Sequence, residues 1–157
     1  MNSQTIIINV FEVKAPTELE KADRELLSAA VEAAWGAYTP YSHFKVGAAV
    51  RMGNGAIVTG NNQENAAYPS GLCAERTALF YAQSQYPRLA IEAVAVAALS
   101  GGVQTPDPVY PCGACRQVML ESQKRTGKPV RVIMGGAQKI QIVENIGDLL
   151  PLAFEEF

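Results

Sequence analysis

The stretch "IEAVAVAA", residues 91–98, is apolar at every position except Glu92. A strand with one wet face alternates apolar and polar residues, so a run that is apolar on both faces belongs at the centre of a sheet covered by helices. Its alanines leave room for close approach by the covering layers. Upstream, Phe44, Val46, Ala48, Val50 and Met52 alternate with Lys45, Gly47, Ala49 and Arg51, and Gly53-Asn54-Gly55 separates them from Ile57 and Val58. That is the pattern of a β-hairpin. A further strand is expected over residues 4–13, within an N-terminal extension (1–16) of a single domain spanning 1–157. Thr17 with Glu20 forms a capping-box pattern, and Leu19, Ala22, Leu26, Ala30, Ala33 and Ala37 recur at helical spacing, which predicts a helix over 18–37. Downstream, a polar loop over 59–71 leads to a helix opening near Cys73. A proline-stiffened loop, "TPDPVYP", precedes a helix from Cys112 to about Lys124, followed by strands at 130–134 and 139–143 and a short C-terminal helix. Interleaved strands and helices point to an α/β fold, a three-layer α/β/α sandwich with a mixed central sheet of about five strands.

At 157 residues, 48% hydrophobic and 18% charged, the chain has the size and composition of one compact domain. A formal charge of -2, a pI near 5.4 and scattered basic residues exclude affinity for a phosphate backbone as the main activity. The run Ile6-Ile7-Ile8 has no basic residue ahead of it and no cleavage signal behind it, so it reads as a strand. Charged or polar residues interrupt every apolar stretch before it reaches membrane-spanning length. Three cysteines, an odd number, do not make a disulfide framework. A soluble, cytoplasmic protein is expected.

The chemistry is carried by "YPCGACRQVM", residues 110–119, where Cys112 and Cys115 stand three apart at the start of a helix-forming run. Taken alone, this frame fits a redox pair, half of a structural zinc site or part of a catalytic one equally well. The third cysteine, Cys73, lies 39 positions upstream in "CAERTALF", with Glu75 and Arg76 close behind it. A redox pair gives no account of a third cysteine beside a carboxylate. Both cysteine groups lie at expected helix N-termini, where unpaired N–H groups and the positive end of the helix dipole favour thiolate. Structural zinc sites close with four protein ligands, whereas catalytic sites keep three and leave the fourth position to water. Three cysteines, with the lone histidine His43 placed elsewhere, match the open arithmetic. A carboxylate at Glu75 is placed to take the proton of a zinc-bound water, whose pKa the ion lowers from about 15.7 to about 7. Three thiolates weaken the ion as a Lewis acid, so Arg76, one turn from Cys73, is expected to donate hydrogen bonds to a ligand sulfur and withdraw charge.

With "CAERTALF" and "PCGACRQV" in hand, the chain resembles the small cytidine deaminases that carry a three-cysteine zinc site. The likeness runs from about Tyr41 to Phe154 and includes "YSHFKVGAAV", "NNQENAAY" and "DLLPLAF". The resemblance implies one zinc ion per subunit on Cys73, Cys112 and Cys115, with Glu75 shuttling protons while hydroxide on the ion attacks C4 of cytosine and ammonia leaves. It implies cytidine or 2'-deoxycytidine as substrate in pyrimidine salvage, Asn62 and Glu64 on the sugar hydroxyls, and Phe44 and Ala74 against the pyrimidine. It also implies a homotetramer in which Tyr68 and the tail around Phe154 complete a neighbouring subunit's pocket.

On pattern alone, Asn62 and Glu64 read as turn residues, Phe44 as strand packing and Arg76 as a solvated helix residue. His43 is assigned to the surface or pocket rim, and Trp35 and Tyr38 to the core or a subunit contact. Two rivals stand beside the main reading. One is the same scaffold acting on a related aminopyrimidine nucleoside, and the other is a metal-stabilised binding module or RNA-editing subunit, which would need a basic, aromatic face.

Overall fold

The computed structural model describes residues 1–155. In chain order the elements are β1 (Phe11–Val13), α1 (Lys21–Trp35), β2 (Phe44–Met52), β3 (Ile57–Asn61), α2 (Ala74–Gln85), β4 (Ile91–Ser100), β5 (Val103–Gln104), α3 (Gly113–Thr126), β6 (Arg131–Gly135) and β7 (Ile140–Val143). The strands form one sheet in the order β1-β7-β6-β4-β2-β3, with the short β5 paired to the end of β4. Strands β4 and β6 run parallel, with α3 in the connection between them, and the other pairs are antiparallel.

The residues of β4 explain the layering. Ala93, Ala95 and Ala97 are buried with Leu26, Leu27 and Ala30 of α1 on one face. Val94 and Val96 are buried with Ala78, Leu79 and Ala82 of α2 and Met119 and Leu120 of α3 on the other. The result is the α/β/α sandwich that the doubly apolar strand implied, with seven strands where about five were expected.

Helix α1 is clamped to the sheet at both ends. Lys45 Nζ donates to Trp35 O (2.8 Å) in its last turn, where a cation also meets the negative end of the helix dipole. In its first turn the buried Asp23 pairs with Arg51 of β2 (3.0 Å) and Arg131 of β6 (2.9 Å), so its charge is compensated within the protein. Between the clamps the helix rests on Gly47, where a Cβ would stand 2.0 Å from Ala30 O and 2.4 Å from Ala34 N. Gly60 seats α2 in the same way, with a Cβ 2.5 Å from Ala78 N. Gly47→Val therefore must lift α1 off the sheet. It is expected to cost at least about 3 kcal/mol and to lower Tm by about 10 °C, measured by thermal unfolding.

Several expected boundaries move. The strand over 4–13 is confined to Phe11–Val13, and Ile6, Ile7, Ile8 and Val10 are exposed. The reason is the partner: Phe11 pairs with Ile142, and β7 ends one residue further on, so the preceding isoleucines have no strand beside them. The helix expected over 18–37 is a 3-10 turn, Pro16–Glu18, followed by α1. No Thr17–Glu20 capping box forms; Glu20 caps α1 without a side-chain bond, while Glu18 Oε1 accepts from Lys14 N and Ala15 N (2.9 Å each). Strand β3 takes in Thr59–Asn61 from the expected loop, and the C-terminal helix is a single 3-10 turn, Ile146–Leu149. Trp35 and Tyr38 lie outside the core, 50% and 57% exposed. No helix among the described residues is long and apolar enough to cross a membrane.

Candidate active site

The three cysteines meet where α2 and α3 begin. Cys73 is the N-cap of α2 and Cys112 the N-cap of α3, both with extended backbone, and Cys115 follows in the first turn of α3, fully buried. The hairpin and β4 carry the two helix starts to the same end of the sheet, which closes the gap of 39 residues. Cys73 Sγ lies 3.9 Å from Cys112 Sγ, Cys112 Sγ lies 3.5 Å from Cys115 Sγ, and all three sulfurs fall within 4.8 Å of one another. Tetrahedral zinc with bonds of about 2.3 Å separates its sulfurs by about 3.8 Å. The set therefore fits one zinc ion. His43, exposed just before β2, takes no part in the cluster, so among the described residues the set has three ligands, one fewer than a structural zinc site.

The sulfurs share protons unevenly. Hydrogen bonding from Cys115, then from Arg76 and Cys112, outweighs burial and pushes the Cys73 thiol down to about 5. The same contact with Cys73 pushes Cys115 up, because Cys115 holds the shared proton. A bound cation would displace that proton and stabilise the thiolates in its place. Arg76 Nη2 donates to Cys73 Sγ (3.7 Å), the contact expected of it from its place one turn after Cys73. Its Nε is buried with no hydrogen-bond partner among the described residues.

Glu75 is 4% exposed, and burial raises its carboxyl above the ordinary range. It lines a cavity of about 150 Å3 together with Cys73, Cys112, Val46, Ala74 and Tyr110. A second, larger cavity of about 350 Å3 shares Asn62 and Cys73 with the first and runs outward past Glu64, Tyr68, Pro69 and Arg76. The two cavities adjoin at Asn62 and Cys73, the smaller at Glu75 and the larger at Glu64 and Tyr68.

Asn62 and Glu64 also make hydrogen bonds to the backbone. The Asn62 amide extends the β2–β3 pairing past its end, accepting from Val46 N (2.8 Å) and donating to Phe44 O (3.0 Å). The Glu64 carboxylate accepts from Tyr41 N (2.9 Å), Ser42 N (3.2 Å) and the Ser42 hydroxyl, and the Ser42 bond leads in holding it below the usual carboxylate range. Neither residue lies in a turn; each ties the 41–46 segment to the chain after β3, and both line the larger cavity. Phe44 is half-buried at the head of β2, and Val46 two residues later lines the cavity instead. Tyr68 lines the larger cavity and is 87% exposed; Phe154, 68% exposed on the tail, accepts at its carbonyl from Gln117 Nε2 (2.9 Å). Sequence reading missed Val109 and Tyr110 as cavity walls. It also missed Arg116, whose guanidinium ties Pro111 O to Leu149 O (2.8 Å each) and so braces the approach to Cys112. Their only signal was adjacency to the "PCGAC" frame.

Comparison with known proteins agrees with this geometry. Residues 20–129 match the family model "Cytidine and deoxycytidylate deaminase zinc-binding region". The chain is similar to the cytidine deaminase of Halalkalibacterium halodurans, 46% identical over 134 residues covering 84% of this chain and 94% of the relative. It is also similar to that of Mycobacterium tuberculosis, 41% identical over 129 residues covering 80% and 84%. Among solved structures, the cytidine deaminase from Burkholderia pseudomallei superposes with a TM-score of 0.69 at 43% identity, covering 83% of this chain and 97% of that one. The redox-pair alternative falls with the convergence of the third sulfur, and the chain belongs to the cytidine and deoxycytidylate deaminase zinc-binding family.

Proposed function

We propose that the protein hydrolyses cytidine and 2'-deoxycytidine to uridine and 2'-deoxyuridine, releasing ammonia. The observation that carries this reading is the buried Glu75 carboxyl and three convergent sulfurs beside a cavity that shares Asn62 and Cys73 with a larger one. The match to curated cytidine deaminases supports the same substrate class. Cys73, Cys112 and Cys115 would hold the zinc ion. When bound, that ion supplies a Lewis acid that makes water nucleophilic near neutral pH.

The chain's own groups do the rest. Glu75 accepts the proton of the attacking water and delivers it to the pyrimidine; burial, by raising its carboxyl, strengthens it as a base. Water adds at C4 and gives up two protons: one ends on ring N3 of the product, the other goes to the amino nitrogen, and the C4–N bond then breaks to release ammonia. Ala74 and Val46 flank the ring, and Phe44, held through its carbonyl by Asn62, stands at the head of the same strand. Asn62 keeps one amide N–H, and Glu64 keeps lone pairs, for the sugar hydroxyls. Arg76 tempers the charge on the sulfurs. Arg76→Ala is expected to lower both metal affinity and kcat/KM by roughly tenfold or more, and unchanged values of both would remove this role.

The proposed assembly is a homotetramer in which Tyr68 and the tail around Phe154 complete a neighbouring subunit's pocket; both residues are exposed in the single chain. Nucleoside salvage in the cytoplasm is the proposed setting. The test is to purify the protein, measure its metal content, and follow ammonia release from cytidine, 2'-deoxycytidine and free cytosine. One zinc per chain with turnover of both nucleosides is expected. RNA affinity without nucleoside turnover would overturn the reading.

A further inference from the structure

Beside Cys112 the wall of the smaller cavity is Val109 and Tyr110, from a loop without regular structure. What fixes this loop is the far edge of the sheet. Ala137 N donates to Thr105 O (2.8 Å) and Gln138 N to Pro106 O (3.0 Å), both from the turn between β6 and β7. Lys139 pairs with Asp107 at 3.0 Å. Gly136 in the same turn admits the loop because it lacks a Cβ, which would stand 2.4 Å from Pro106 O. Tyr110 then donates its hydroxyl to Gln141 Oε1 (2.8 Å), and Gln141 Nε2 donates to Glu12 Oε2 (2.9 Å). Glu12 and Gln141 are register partners on β1 and β7, and Glu12 lies ahead of the residues that match the family model.

Charge sets the direction of this relay. A carboxylate only accepts, so Gln141 must turn its NH2 toward Glu12 and its carbonyl toward Tyr110, which obliges the phenol to donate. A flipped amide would set its oxygen against the carboxylate. Tyr110 thus lines the smaller cavity while its hydroxyl is engaged at Gln141.

We propose that Tyr110 is a further substrate-binding residue, its ring forming one wall of the pyrimidine pocket, and that Gln141 and Glu12 are positioning residues that hold it there from the N-terminal strand. The proposal rests on the reading of the cavity given under Proposed function. By this route a segment outside the family's matched region reaches the site.

The test is steady-state ammonia release from cytidine by Tyr110→Phe, Gln141→Leu and the double variant, with metal content and Tm measured alongside. Tyr110→Phe removes one oxygen from a half-exposed ring and is not expected to disturb folding. Each single variant is expected to raise KM by about fivefold, with a smaller change in kcat and with metal content and Tm held. The double variant is expected to be no worse than either single one, because both cut the same relay. Glu12→Gln, which lets the amide flip, shifts KM in the same direction. Additive effects, an unchanged KM in both single variants, or a loss confined to kcat or accompanied by loss of metal would each overturn the proposal. A wild-type protein that releases no ammonia overturns the proposed function and this inference together, whereas an active wild type with insensitive variants overturns this inference alone.

Discussion

Replacing Glu75 by Gln is expected to lower kcat for cytidine by about a thousandfold while metal content stays at one ion per chain. The two side chains have the same shape, so the cavity walls and the three sulfurs are undisturbed. What is lost is the capacity to take a proton from water and pass it on. Because the carboxyl is buried at 4% exposure and burial works against its charged form, the neutral amide is expected to leave Tm at or above the wild-type value. Activity and stability therefore move apart, which separates this role from a structural one. Single-turnover kinetics and metal analysis of the same preparation check it; an active Glu75→Gln enzyme would refute the proton-carrying role.

Cys115→Ala is expected to abolish turnover to below about one part in ten thousand, through loss of the ion that activates the water. Cys115 is fully buried and contributes the third sulfur from the interior side of the cluster. With two sulfurs left, the site falls below the three protein ligands of a catalytic zinc centre. Cys73→Ala is expected to match it in metal content and activity. The equality matters, because a redox function of the Cys112–Cys115 pair would survive the loss of Cys73. Metal analysis of both variants, with thiol titration to exclude a Cys112–Cys115 disulfide, decides between the two chemistries.

The layered fold was legible where a local pattern is tied to burial. Residues 91–98 announced a doubly covered strand because both of its faces are apolar, and β4 has Ala93, Ala95 and Ala97 on one face and Val94 and Val96 on the other. The hairpin was legible from Phe44 to Val58 by alternation and its glycine turn, but not its last three residues, Thr59–Asn61. Ile6-Ile7-Ile8 misled because strand propensity counts only when a neighbouring strand is present, and β7 is too short to reach them. Strand β5, two residues long, has no periodicity to read.

At the site, the ligand set was legible because thiolates, helix N-termini and a nearby carboxylate form a pattern rarely assembled for other purposes. The double duty of Asn62 and Glu64 was not, since their bonds to the 41–46 segment depend on how β3 ends against β2. Tyr110 was hidden for the same reason. Its place in the wall is set by Gln141 and Glu12, residues far away in the chain whose proximity only the folded sheet creates.

The central claim is that sulfurs from two helix N-termini hold one ion with one position open. X-ray absorption at the zinc edge of the purified protein measures this most directly. Three sulfur neighbours at about 2.3 Å and one oxygen at about 2.0 Å are expected. Fewer than three sulfurs, or a fourth protein ligand in place of the oxygen, would contradict it.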